Sequence, residues 1–508
     1  MIRYPLIVAL GMLGPGMVCA QPAPTNQARF EKPDRWAMAA RAAVFLRAQQ
    51  DKATGGWNVN PQGPTLPAIT GLVVQGLLMQ EGVDEKDPAV SAGIAFILSK
   101  QQPDGGIYDR ILPTYNTAIC LSALAKIKSP SAEVRSAMVK AQEFLKGLQY
   151  GEGAAVREGA VEAAERVSRD HPYYGGWGYG NRGRPDLSNS AFIIEALRES
   201  GVSESDAAFQ RALVFLQRCQ MIEKGSDGKI INGEPYAKGS TQGGFIYSTS
   251  ENKDKPGSGQ SFAGEVAESL SGPAGLAARV TLKAKGADGK PVTLTREEIR
   301  TRLREKAKES SNPEHAGLGD RCVILFGPGS TDTSANSFEV RAPGDVAPRF
   351  EILVGSAFAD VAEAPVTAKA VEHWQGESRL RAYGSMTYSG FKSYVYAGLA
   401  RNDPRVVAAR EWIARNYTLE ENPGVGTDGL YYYLLVFSRA MHAWGEPTLR
   451  AVGAEGGPVT HEWKQDLVER LSRLQQSDGS FRSVDDRWME SDPVLITAYS
   501  LVALEHAE

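Results

Sequence analysis

A unit of two helices joined by a glycine-rich turn recurs six times along the 508 residues, and this repeat constrains the fold more than any other feature. In each unit a helix-period stretch ends near glutamines, a turn with an aromatic residue follows, and a second helix rich in Ala, Leu and Tyr comes next. The first helices are predicted at 36–50, 88–102, 132–149, 206–220, 404–416 and 461–476. The second helices are predicted at 68–80, 116–127, 187–200, 388–399, 430–444 and 493–506.

The two helices of each unit differ in their apolar pattern, which assigns them to two layers. In the first helix of the chain, Ala39, Ala43 and Leu46 recur at spacings of three and four with charges between them, which predicts one buried stripe. The second helices, such as 119–124 and 495–501, are apolar on nearly all sides and must be buried. The sequence therefore predicts an all-α fold. Six pairs can close into an α6/α6 toroid, and an open superhelix fits the periodicity equally well.

The turns carry glycines beside an aromatic residue, as in Gly55-Gly56-Trp57 and Gly175-Gly176-Trp177. Glycine adopts positive φ without a steric cost, so tight turns favour it. We expect Gly176 to hold such a conformation. The aromatic residue that follows can pack across the adjoining pair of helices.

This pattern of glutamines, a DGG or GGW turn and an apolar helix resembles the repeat of the squalene cyclase, protein prenyltransferase β-subunit and terpenoid-toroid superfamily. The resemblance covers about 36–250 and 377–508, and points in particular to exported prenyltransferase/squalene-oxidase-repeat proteins of bacteria. Tyr383-Gly384-Ser385-Met386-Thr387-Tyr388 and Asp486-Arg487-Trp488-Met489-Glu490 resemble recurrent segments of those proteins. The resemblance implies an α6/α6 toroid, but a shared fold does not by itself imply a reaction.

The helix-pair rhythm stops at about 256–376, inside the fourth repeat. Residues 279–283 alternate like a strand, Thr295 begins a charged helix, and 322–326 and 350–354 are further candidate strands. We predict an α+β insertion, with a long ordered loop as the alternative, and expect a protein partner to contact it. The predicted organisation is a signal peptide at 1–20, a linker at 21–35, toroid repeats at 36–255 and 377–508, and the insertion at 256–376.

The first 20 residues have the features of a secretory leader. Arg3 gives a positive start, Leu6 to Leu13 form an apolar run, and 18–20 is a small-residue cleavage site. A short membrane anchor and a lipoprotein at Cys19 are the alternatives, although the run is shorter than the ~20 residues that a span needs. No later stretch is long enough to span a bilayer. We therefore expect an exported protein, periplasmic or extracellular, without a transmembrane segment.

Charge and cysteine content argue against other classes of function. The net charge of −4 provides no basic field for nucleic acid. Three cysteines remain after the leader, and neither Cys120 nor Cys219 has a histidine at ligand spacing. We therefore predict no disulfide framework, no metal site and no cofactor. Zinc-dependent prenyl transfer is not expected.

Aromatic side chains are concentrated near the turns and the starts of the second helices, which a toroid brings together at one mouth. Such faces can line an apolar cavity or stabilise a cation through their quadrupoles, as carbocation chemistry requires, and they can also stack on sugars. The alternative for each is simple packing of the turns. The candidate ligand-binding residues are Tyr115, Tyr174, Trp177, Tyr179, Tyr247, Tyr383, Tyr388, Tyr432 and Trp488, with Arg381 as a candidate for an anionic group.

Paired carboxylates precede Trp488 at Asp485 and Asp486. Adjacent carboxyls can separate their pKa values so that one becomes an acid, and a cyclase that protonates an alkene needs such a group. The Asp-x-Asp-Asp motif of class II triterpene cyclases has Ser483 at its first acidic position here, so the match is incomplete. Asp485 and Asp486 are the candidate catalytic residues, with a solvated or helix-capping pair as the alternative.

Three functions from different classes fit these features. The first is a toroid that binds an apolar, isoprenoid-like ligand in an aromatic cavity, with cyclase-type chemistry if the carboxylates act. The second is a non-enzymatic binding or scaffold module, which the absence of a complete catalytic set favours. The third is a carbohydrate-active enzyme, since α/α toroids also host lyases and hydrolases. The small-molecule partner is accordingly an apolar molecule or a glycan.

Overall fold

The structure is a computed structural model that describes residues 33–58, 65–152, 166–180, 184–249, 275–286, 289, 292–309, 322–326, 335–343, 347–371, 382–453, 457–483 and 487–508. The predicted leader, Cys19, Arg381, Asp485 and Asp486 lie outside these residues. Across the described part of the chain, no helix combines the length and the hydropathy that crossing a membrane requires.

Fourteen α-helices are described in these ranges. They are α1 (Arg35–Ala48), α2 (Pro67–Met79), α3 (Pro88–Ser99), α4 (Pro113–Ala125), α5 (Ala132–Gly147), α6 (Leu187–Glu199), α7 (Ala207–Cys219), α8 (Arg296–Glu309), α9 (Ala347–Phe358), α10 (Gly384–Tyr396), α11 (Pro404–Arg415), α12 (Leu430–Trp444), α13 (Trp463–Leu474) and α14 (Pro493–His506). The strands are β1 (Gly275–Thr281), β2 (Val323–Phe326), β3 (Ser337–Pro343), β4 (Ala368–Val371), β5 (Leu449–Val452) and β6 (Pro458–His461).

Six of the helices contact one another in a closed cycle. In order around it, α2 contacts α4, α4 contacts α6, α6 contacts α10, α10 contacts α12, α12 contacts α14, and α14 returns to α2. These helices are buried almost along their whole length, and in α2 every residue from Pro67 to Leu78 is buried. Their near-continuous apolar sequence allows this, because a helix with neighbours on all sides needs no polar face.

Six further helices lie outside this cycle, each against one or two of its members: α1, α3, α5, α7, α11 and α13. They bury one stripe only, as with Met38, Ala42 and Leu46 of α1. Most begin at an aspartate or serine whose side chain accepts backbone N–H bonds of the first turn, as Asp206 does for α7. The mostly helical, toroid-like arrangement agrees with the all-α expectation.

A glutamine after the outer helix connects neighbouring units in five of the six units. The side-chain amide of Gln149 donates to the Gly175 carbonyl at 2.9 Å and to the Ala208 carbonyl of α7 at 2.8 Å. The same pair of bonds, to the turn glycine and to the next outer helix, is made by Gln50, Gln101, Gln220 and Gln475. Gln475 reaches Met38 of α1, so this glutamine bridge also joins the last unit to the first.

The first glycine of the turn packs directly on the next outer helix. Gly175 has φ +88°, and a Cβ there would overlap the Arg211 carbonyl oxygen of α7. The expectation of positive φ at Gly176 is wrong, because the left-handed residue is its predecessor. A Cβ at Gly176 would instead lie 2.6 Å from Pro185 Cβ and 2.8 Å from the Phe215 ring. Close packing, rather than backbone conformation, requires glycine at the second position.

Between α7 and α10 in the chain, the described residues of 275–371 include a four-stranded sheet and two helices. The antiparallel sheet has the order β2-β3-β1-β4, and α8 and α9 pack together with it. Among the described residues, its buried core lies between Ala278 and Phe358, and the helical core includes none of the described residues between Tyr247 and Ala382. The strand expected at 350–354 is wrong. Phe350, Val354 and Phe358 are buried at a spacing of four, so this segment forms the apolar face of α9.

We expect Gly175→Ala to destabilise the fold by more than the ~1 kcal/mol that a left-handed alanine costs. The added methyl group must also displace the α7 backbone at Arg211. Gly201→Ala is the matched control, because Gly201 has φ +95° with no atom within 4 Å of a built Cβ. Urea unfolding of both variants measures the difference. Equal losses of stability would show that the glycine contact with the next helix is unimportant.

Candidate functional site

A cavity of about 200 Å³ lies where the N-terminal ends of the six inner helices meet. All six contribute to its wall, either from their first turns or from the residues just before them. The lining residues are Leu66, Ile69, Leu112, Tyr115, Tyr179, Ser188, Phe192, Tyr247, Tyr383, Ser385, Met386, Tyr432, Trp488, Met489, Glu490, Leu495 and Tyr499. The wall is therefore apolar and aromatic, with phenol hydroxyls as its main polar groups.

Six of the residues proposed from the sequence as ligand-binding lie in this wall: Tyr115, Tyr179, Tyr247, Tyr383, Tyr432 and Trp488. Each of them is in the first turn of an inner helix or in a segment that leads to or covers one. The structure thus brings together residues that are as far apart in the chain as Tyr115 and Trp488.

The other three described candidates lie outside the wall, because their side chains pack within the protein. Trp177 is fully buried and donates its indole N–H to the Leu145 carbonyl at 2.7 Å. Tyr174 belongs to a small cluster with Tyr150 and Val167. Tyr388 is one turn further along α10 than the wall residues, between the rings of Tyr433 and Phe437.

Several wall residues were not singled out from the sequence. Leu66, Ile69 and Phe192 carry no chemical signature, and Ser188 and Tyr499 resemble many other residues of the inner helices. Their position in the chain does distinguish them, since Leu66, Ile69 and Ser188 lie at the start of an inner helix and Phe192 and Tyr499 lie one turn further along. Aromatic type alone did not separate wall residues from core residues.

Tyrosine hydroxyls in the wall bond to one another and to serine. The Tyr179 and Tyr247 hydroxyls are 3.2 Å apart, and those of Tyr115 and Tyr499 are 3.4 Å apart. Ser188 Oγ lies 2.8 Å from the Tyr432 hydroxyl. Burial raises the pKa of Tyr179 to about 12, so this phenol stays protonated at neutral pH. The wall can therefore offer hydroxyl dipoles and ring faces without carrying a charge on its phenols.

A strained segment after the predicted acidic pair closes part of the wall. Trp488 and Met489 both have left-handed backbone, with φ of 56° and 65°, which costs roughly 1–2 kcal/mol for each non-glycine residue. The buried carboxylate of Glu490 accepts the backbone N–H bonds of Tyr432 at 2.7 Å and Tyr431 at 3.3 Å, so it stabilises the first turn of α12. This contact holds the strained residues against the cavity.

A second buried carboxyl lies just behind the wall at Asp186. It begins α6, accepting the backbone and side-chain N–H bonds of Asn189, both at 2.8 Å. Burial raises its pKa to about 6, although the bonds from Asn189 and from the Tyr247 hydroxyl oppose the rise. Asp186 therefore contacts a wall tyrosine and holds a proton more readily than an exposed aspartate.

The raised pKa of Asp186 makes stability fall as the pH rises. In the folded state the carboxyl keeps its proton up to about pH 6, whereas its ordinary pKa is 3.8. Stability is therefore lost between about pH 4 and 6, by about 3 kcal/mol in total. We expect Asp186→Asn to match the wild type near pH 4 and to exceed its free energy of unfolding at pH 7, as measured by urea unfolding.

Asp87 at the start of α3 provides a control of opposite sign. Partial burial raises the pKa of Asp87, but Arg47 and backbone N–H bonds lower it below the ordinary value. Its stabilising contribution is therefore present above pH 3.8 and lost in acid, so Asp87→Asn should cost stability at pH 7. If both substitutions changed the free energy of unfolding at pH 7 in the same direction relative to the wild type, the assignment for Asp186 would be contradicted.

No protein-family model matches the chain, and no curated protein matches it. Among solved structures, a protein from Actinoplanes is similar at 13% identity and a TM-score of 0.29, over 93% of this chain and 99% of that one. A type II terpene cyclase, MstE from Scytonema with its product merosterolic acid A, is similar at 15% identity and a TM-score of 0.26, over 87% of this chain and 98% of that one.

The same cyclase in complex with its substrate, geranylgeranyl dihydroxybenzoate, is similar at 14% identity and a TM-score of 0.26. That alignment covers 93% of this chain and 97% of the cyclase. Structural similarities with TM-scores this low do not indicate a function for this chain. The cavity must therefore be interpreted from its own residues.

Proposed function

We propose that this protein binds an apolar, isoprenoid-like ligand in the cavity at the N-terminal ends of the inner helices. The observation that carries the proposal is the wall itself, which combines aliphatic side chains such as Leu66, Ile69 and Met386 with tyrosine rings. Burying apolar ligand surface against such a wall is favourable by about 25 cal/mol per Å². A glycan would instead require several charged or amide groups for its hydroxyls, and Glu490 is already engaged by the α12 backbone.

The architecture we propose is an exported α6/α6 toroid whose six pairs are α1–α2, α3–α4, α5–α6, α7–α10, α11–α12 and α13–α14. The cyclic contacts of the inner helices and the bridge from Gln475 to α1 support it. Residues 256–376 form an α+β insertion in the fourth pair and offer a surface for a protein partner. Their separate core supports this division.

The corresponding catalytic proposal is that Asp485 or Asp486 donates the proton that starts a cyclase-type reaction on this ligand. Asp486 is two residues from Trp488 in the sequence, and Trp488 lies in the wall. Tyrosine and tryptophan faces can stabilise a carbocation through their quadrupoles once one has formed. The scaffold alternative is favoured by one observation, since the paired hydroxyls of Tyr115 with Tyr499 and Tyr179 with Tyr247 already satisfy one another.

Native mass spectrometry with lipid extraction of the purified protein tests ligand binding. We expect a co-purifying apolar molecule, and Ser188→Phe should reduce its occupancy at least tenfold because the new ring fills the space beside Tyr432. Ser136→Phe, on the exposed face of α5, is the control and should retain the ligand. If no ligand co-purifies with the wild type or with Ser136→Phe, the result would favour the scaffold alternative.

Catalysis is tested separately with the extracted ligand class as substrate. Asp486→Asn should abolish turnover while the ligand remains bound in native mass spectrometry, because the change removes an acidic proton and little volume. Product analysis by gas chromatography measures the loss. Unchanged turnover in both Asp485→Asn and Asp486→Asn would remove these residues from the reaction.

A further inference from the structure

A cluster of charged and polar side chains lies on the ring axis beneath the cavity. We call it the axial polar cluster; it consists of Gln75, Glu195, Lys392, Arg439 and His506, one from each of α2, α6, α10, α12 and α14. The Arg439 guanidinium carbon is 5.8 Å from the centre of the Phe192 ring, and Phe192 lines the cavity. The cluster is therefore separated from the cavity by one layer of aromatic side chains.

Two cations share a single carboxylate oxygen in this cluster. Glu195 Oε2 accepts from Lys392 Nζ at 2.7 Å and from Arg439 Nη1 at 2.8 Å. The side chains of all three are at most 2% exposed. Arg439 Nη2 donates to Gln75 Oε1 at 2.7 Å, so this further contact of the guanidinium is with a neutral amide.

The neighbouring groups do not remove the excess positive charge. Lys126 and Glu199 form an ion pair at 2.7 Å toward the C-terminal ends of the inner helices, and this pair adds no net charge. Burial and nearby cations hold the pKa of His506 well below its ordinary value, so that ring is neutral. One positive charge is left without a carboxylate among these described groups, and a buried unpaired charge is strongly unfavourable.

Hydrogen-bond donors in the same cluster also lack acceptors. Arg439 Nε, Gln75 Nε2 and the single N–H of the neutral His506 ring are buried without an acceptor. Reversing the Gln75 amide would only turn its NH₂ group toward the guanidinium. Water molecules would satisfy these donors, but a neutral molecule does not balance the charge. A negatively charged acceptor would meet both deficits together.

We infer that the axial polar cluster binds one small monovalent anion of the halide type, coordinated by Arg439 Nε, Gln75 Nε2 and the Lys392 ammonium. A single negative charge matches the excess of one, and a larger organic anion would not fit among side chains buried to this degree. The approach is from the mouth opposite the cavity, where His442 is exposed and its ring centre is 4.6 Å from that of His506. This inference does not depend on the ligand of the apolar cavity.

Thermal unfolding of the full chain at constant ionic strength tests the inference. Sodium bromide is titrated against sodium gluconate, whose anion is too large for the cluster. We expect a saturable rise in Tm of about 2 °C or more, because an anion that binds only the folded state stabilises it by mass action. Lys392→Met removes the charge excess and should abolish the rise. Lys52→Met makes the same change on the surface and should retain it.

Anomalous diffraction from bromide-soaked crystals of the unmodified protein locates the anion directly, whether or not Lys392→Met folds. A bromide peak within hydrogen-bond distance of Arg439 Nε supports the inference. Water in that position, or a Tm that does not respond to bromide, would overturn the inference. The excess positive charge of the cluster would then be explained by a deprotonated Lys392. Retention of the bromide effect in Lys392→Met would equally overturn the inference.

Discussion

The glutamine bridge is the interaction on which the ring depends. Each inner helix is buried on nearly all sides, so it is stable only with neighbours on both flanks, and the bridges connect those neighbours. A buried side-chain amide that loses its acceptors costs about 1–3 kcal/mol. Five bridges recur around the cycle; the amides of Gln149 and Gln220 are buried, and those of Gln50, Gln101 and Gln475 are partly buried. The fifth unit lacks one. Asn416 occupies the corresponding place and bonds instead to Trp412 of its own helix, and the turn that follows is held by Asn422, which bonds Ser385 of α10.

The two ends of the ring differ in chemistry because the inner helices run parallel. Their N-terminal ends carry partial positive charge and converge on the apolar cavity. Carboxylates of Asp186, Glu490 and Asp492 contact three of these ends, so the helix starts are neutralised by side chains that belong to the wall or adjoin it. At the opposite ends, Lys126 follows the last turn of α4, where its positive charge is favourable beside the negative end of that helix.

The sequence was sufficient for the positions of the twelve helices of the inner and outer layers, but not for helix α9 or for the composition of the cavity wall. Periodicity predicts a helix well because burial on all sides leaves a long apolar run, as at 495–501. It does not tell which aromatic residue faces the axis. Trp177 and Tyr432 are equally aromatic, but the Trp177 backbone N–H is held by Ser190 and its indole turns toward Leu145. Tyr432, in the first turn of α12, faces Ser188 across the cavity.

The axial polar cluster was also missed from the sequence, because its charged residues lie one to a helix in helices whose other residues indicate a hydrophobic core.

Closure of the cycle brings the first and last helices into contact, and Arg35 of α1 forms an ion pair with Glu505 of α14 at 3.3 Å. Around the ring, the junction between these two helices resembles every other junction. The connection between α7 and α10 is by contrast long and has its own core. A circularly permuted chain that begins at α10, continues from Glu508 through a short linker to Pro33, and stops after α7 would preserve all the contacts among the twelve helices. The order of the helices along the chain can thus be changed without changing their arrangement in space.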